Sequence, residues 1–66
     1  MHTITLYRTA DCWMARSTDP QVRKLFGTDE LPTAFAARVP GDKVLREIRR
    51  LNPDAAVSLD RSATGA

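Results

Sequence analysis

The stretch Pro32–Leu59, PTAFAARVPGDKVLREIRRLNPDAAVSL, decides the fold of this chain. It reads as strand, amphipathic helix, strand. From Thr33 to Val39, Phe35, Ala37 and Val39 alternate with Ala34, Ala36 and Arg38, and Pro32 and Pro40 bracket the run as stops. Val44, Leu45, Ile48 and Leu51 then fall on one helical stripe. Asp42 stands where a cap is wanted, and it precedes Arg46 by four residues, the favourable order for an ion pair on a helix. Arg49 and Arg50 suit the last turn, Asn52-Pro53 ends the helix, and Ala55 to Leu59 makes a last short strand. A helix between two strands of one sheet lies over one face of it. A chain of 66 residues has little left for the other face, which is where a function is to be sought.

Upstream, residues 2–9 alternate, with Ile4 and Leu6 on one side and Thr3, Thr5 and Tyr7 on the other. Ala10-Asp11 interrupts the pattern and Cys12 to Ser17 resumes it, which predicts a hairpin. A two-residue loop sets Arg8 opposite Trp13, Tyr7 opposite Met14 and Leu6 opposite Ala15, with Arg8 lying over the Trp13 ring. Asp19-Pro20 starts a short helix and Gly27 stops it. Val22, Leu25 and Phe26 form its stripe, and two turns of helix need that stripe packed on the sheet. Thr28 to Pro32 reads as a polar loop.

The predicted fold is α+β and two-layered: a four-stranded sheet, two helices on one face, order ββαβαβ. Residues 1–59 form one domain and residues 60–66 a frayed tail. The expected core is Ile4, Leu6, Trp13, Val22, Leu25, Phe26, Phe35, Ala37, Val44, Leu45, Ile48, Leu51, Val57 and Leu59.

Composition narrows the function. Hydrophobic residues are 42% and charged residues 27% of the chain, ordinary for a globular protein, and no apolar run approaches a membrane span. The N-terminus lacks the basic and apolar regions of a secretory signal, and the lone Cys12 fits a reducing compartment, so the expected location is cytoplasmic. One cysteine and one histidine do not make a closed zinc site. Cys12 and His2 fall at opposite ends of the predicted hairpin, and Asp29-Glu30 reads as solvated loop charge. Three scattered glycines make no phosphate loop. Nothing converges as a nucleophile and its base must, so the expectation is no enzyme, no cofactor, no metal and no small-molecule substrate.

Binding is the class that is left. A domain of ~60 residues has a small core and gains from a second subunit. Tyr7, Met14, Arg16, Ala34, Ala36 and Arg38 are placed on the uncovered face, a composition suited to contact with another copy or another protein. The alternative is nucleic acid, with Tyr7 stacking bases beside Arg16 and Arg38 while Arg46, Arg49 and Arg50 meet phosphates. A net charge of +2 gives that alternative little electrostatic support.

Overall fold

The computed structural model describes residues 2–60. The chain is an α+β protein with a four-stranded mixed open sheet and two helices in the order ββαβαβ. Strand β1 is Thr3–Arg8, β2 Cys12–Ser17, β3 Glu30–Ala36 and β4 Ala56–Leu59; helix α1 is Pro20–Phe26 and α2 Gly41–Leu51. The strand order is β3-β2-β1-β4. β1 is antiparallel to β2 and parallel to β4, and β2 is antiparallel to β3. β3 and β4 are therefore the two edges, and α2 joins them. Of the expected tail, residues 60–66, residues 61–66 lie outside the described residues. Asp60 still continues the β4 ladder, its N–H donating to the Leu6 carbonyl at 2.8 Å.

The hairpin has the predicted register, with Arg8 opposite Trp13, Tyr7 opposite Met14 and Leu6 opposite Ala15. Its turn lacks glycine and is held by Thr9. The Thr9 N–H and hydroxyl both donate to the Cys12 carbonyl, at 2.9 and 2.8 Å, and the hydroxyl oxygen accepts the Cys12 N–H at 3.2 Å.

The core is small. Ile4, Leu6, Trp13, Val44 and Val57 are buried, four from the strands and Val44 from α2. Ala15, Phe35, Val39, Leu45, Ile48, Ala55 and Leu59 pack half-buried around them. Trp13 is the floor on which the β3–α2 connection rests. Its Nε1–H donates to the Val39 carbonyl at 2.9 Å, which also accepts from Arg8 Nη2 at 3.3 Å, and the Arg8 guanidinium lies 4.6 Å from the ring centroid. Gly41 passes so close that a Cβ there would stand 3.1 Å from Trp13 Cη2 and 3.3 Å from Leu59 Cδ1.

Five expectations are corrected. Leu25, Phe26 and Leu51 are 74%, 60% and 62% exposed and lie outside the core. None of the α1 residues is buried, Val22 being half-buried. The helix is defined by its ends: Asp19 Oδ1 accepts the Gln21 N–H at 3.0 Å, and Gly27 takes φ 75°, its N–H donating to the Arg23 carbonyl at 2.8 Å. Asp42 does not cap α2; Pro40 occupies that position, and Asp42 lies in the first turn, where its charge still suits the dipole. Strand β3 begins at Glu30 and ends at Ala36, so Arg38 falls in the following turn and off the sheet. Pro32 is not a stop, because on an edge strand its missing N–H faces away from the partner strand.

β3 also carries a bulge, its pairing with β2 shifting between Cys12 and Met14. Thr33 repairs the ladder there. Its hydroxyl donates to the Trp13 carbonyl at 2.7 Å and accepts the Phe35 N–H at 3.1 Å. Thr33→Val keeps the shape and deletes both bonds. It is expected to cost about 1–3 kcal/mol, read as a lower denaturant midpoint.

Candidate functional site

The face of the sheet opposite the core is built by alternation. With Ile4, Leu6 and Trp13 turned into the core, Thr5, Tyr7, Cys12, Met14 and Arg16 turn away from it. Pairing then carries Glu30, Pro32 and Ala36 of β3 onto the same side, opposite Arg16, Met14 and Cys12, while Ala34 lies in the bulge between Pro32 and Ala36 and has no partner in the ladder. None of these residues is buried, and Arg16, Pro32 and Ala34 are exposed. The structure thus brings Tyr7, Met14, Arg16 and Ala36 together, sets Ala34 exposed in the bulge of β3, and leaves Arg38 apart.

Glu30 is the residue that the sequence reading missed. Its Oε1 accepts from the Tyr7 hydroxyl at 2.7 Å, Arg16 Nη2 at 2.9 Å and Arg16 Nε at 3.2 Å. The Arg16 guanidinium also lies 5.2 Å from the Tyr7 ring centroid. Three strands meet in this cluster, and it fixes the phenol as a hydrogen-bond donor. The available signal was the alternation Glu30, Pro32, Ala34, Ala36 against Leu31, Thr33, Phe35, visible once proline is allowed on an edge.

The cluster tunes its own titrations. Burial and then the bond to Glu30 push the Tyr7 phenol up. The bonds from Tyr7 and then Arg16 hold the Glu30 carboxyl below its usual range, and Glu30 raises Arg16 further. Folded Glu30 holds its proton less tightly than unfolded Glu30. Its contribution is full above the ordinary glutamate value near ~4.3 and is lost as pH falls through the depressed one. Folded Tyr7 holds its proton more tightly, so its contribution is full below ~10 and is lost as pH rises through the raised value. Tyr7 is the sole tyrosine, so phenolate absorbance reports it alone. Its midpoint is expected above the ordinary tyrosine range in the wild type and nearer that range in Glu30→Gln.

The second arginine group is placed otherwise. Arg49 donates to the Val57 carbonyl from Nε at 3.3 Å and Nη2 at 3.2 Å, and Arg50 pairs with Glu47 at 2.9 Å. Arg46 is exposed on the same helix. Cys12 lies at the hairpin turn, whereas His2 lies at the other end, its Nδ1 4.0 Å from Asp19 Oδ2. Among the described residues no pocket opens, no His, Cys, Asp or Glu group is arranged to hold a metal, and no helix is long and apolar enough to cross a membrane.

A comparison of the chain with protein-family models finds no match, and neither curated proteins nor solved structures yield a similar chain.

Proposed function

We propose that this protein is a small non-enzymatic binding module whose contact surface is the reverse sheet face, and that the partner is a protein, in the first place a second copy of the chain. The observation that carries this reading is the Tyr7–Glu30–Arg16 cluster beside Met14 and Ala36 on a face none of whose residues is buried. An aromatic, a methionine and an arginine are residues favoured at interface centres. The paired charges make the face self-complementary: across a two-fold axis, Arg16 of one copy can face Glu30 of the other.

Area sets the strength. Six-residue strands are about 20 Å long and four span about 15 Å, a footprint of about 300 Å². A standard interface takes ~800 Å² per partner, so this contact is weak, with a dissociation constant of about 10 µM to 1 mM. Glu30 counts against the nucleic-acid alternative, because it sets a carboxylate among the groups that would meet phosphate. Arg49 and Arg50 are engaged elsewhere. A reducing compartment such as the cytoplasm suits the single thiol.

Sedimentation equilibrium over that concentration range tests the proposal. Mass rising from monomer toward dimer is the expected result. A monomer throughout would sink self-association and move the search to a different protein partner.

A further inference from the structure

The Tyr7–Glu30–Arg16 cluster is one-sided. Its three bonds all end on Glu30 Oε1, from the Tyr7 hydroxyl at 2.7 Å and from Arg16 Nη2 and Nε at 2.9 and 3.2 Å, and among the described residues Oε2 accepts none. Arg16 uses Nε and Nη2 on that oxygen and leaves Nη1 without a partner among the same residues. Both side chains reach the surface, Arg16 49% and Glu30 40% exposed. Each copy therefore shows one acceptor and one donor side by side. The Tyr7 hydroxyl fixes the carboxylate, and the Tyr7 ring carries the guanidinium 5.2 Å from its centroid.

A partner of one charge sign meets only half of this display. Phosphates would face the Glu30 carboxylate, and a basic surface would face Arg16. A second copy matches both groups, on one condition. A two-fold axis moves Arg16 onto the place of Glu30 only where it runs between them. The two are direct partners in the β2–β3 ladder, so that place is defined. An axis through the neighbouring pair on this face, Met14 and Pro32, would carry the second copy's Arg16 about 13 Å past Glu30, twice the rise of two strand residues.

We propose, resting on the reading that the reverse face meets a second copy, that the two-fold axis of that pair passes between Arg16 and Glu30. Nη1 of each Arg16 then donates to Oε2 of the other copy's Glu30. β2 of each copy crosses over β3 of the other, and Tyr7, in contact with both charged groups, lies next to the axis. Exposed ion pairs add little affinity; this one fixes the register and disfavours a surface that lacks the matching charge at either place.

Charge reversal and mixing test the axis. Arg16→Glu alone sets carboxylate against carboxylate at both contacts, and Glu30→Arg alone sets guanidinium against guanidinium. Each is expected to associate about tenfold or more weakly than the wild type. An equimolar mixture of the two variants faces opposite charges at both contacts and is expected to regain the wild-type association in sedimentation. Native circular dichroism of each variant is the control. Wild-type association with no rescue in the mixture would overturn the axis and leave the face as the contact surface. A wild type that stays monomeric removes that surface for a second copy, and this inference with it. If a reversed variant does not fold, Arg16→Gln and Glu30→Gln decide: weaker association of both supports the pair, and wild-type association of either contradicts it.

Discussion

Trp13→Ala is expected to unfold the chain. A domain of this length is stabilised by about 3–10 kcal/mol at the usual ~0.05–0.15 kcal/mol per residue. Removing a buried tryptophan costs about 3–5 kcal/mol through lost transfer energy and the cavity left behind. Here the loss extends further. Among the described residues Trp13 is one of five buried side chains, and its ring supports Gly41, where α2 begins. Its Nε1–H and the stacked Arg8 both hold the Val39 carbonyl that anchors the β3–α2 connection. Thermal melts followed by circular dichroism should show no cooperative transition. Leu25→Ala, at a side chain 74% exposed, should change stability by no more than about 0.5 kcal/mol. A large cost at Leu25 would mean that α1 packs on the core after all.

The second large effect is expected in association. Tyr7→Ala with Met14→Ala removes the apolar centre of the reverse face, and central aromatic contacts each cost about 2 kcal/mol or more when truncated. Two such losses exceed what a weak contact of about 4–7 kcal/mol can spare, so sedimentation should show a monomer throughout the range. The fold should survive, because neither residue is buried and the two lie side by side across β1 and β2 with their backbone pairing intact. Loss of the native circular dichroism in the double variant would instead make them structural.

Much of this was legible in the sequence, for identifiable reasons. The hairpin register follows from two alternating runs separated by a fixed two-residue gap, and a one-residue slip would have turned Leu6 and Trp13 out to water. Local chemistry at Asp19-Pro20 and Gly27 set the limits of α1. What periodicity could not supply was the area available to receive a stripe. Val22, Leu25 and Phe26 are amphipathic by spacing, but Ile4, Leu6, Trp13 and Val57 already meet their cover in α2. Leu51 fails likewise, lying at the last turn of α2 and past the core. The start of β3 was hidden by Pro32, whose meaning depends on whether its strand is central or at an edge, and strand order is a tertiary fact. With it went Glu30, read as loop charge and found bonded to Tyr7 and Arg16. The role of Arg49 was hidden for the same reason, since its acceptor belongs to an edge that only the topology defines.

The central claim is that the molecule meets its partner through the face turned away from α2. Amide chemical shifts recorded along a dilution series from about 1 mM to about 10 µM, the range of a weak contact, test it residue by residue. The account predicts concentration-dependent shifts at Tyr7, Met14, Arg16, Ala34 and Ala36, with Val57 and Leu59 unmoved. Shifts confined to β4 or α1, or none anywhere, would contradict it.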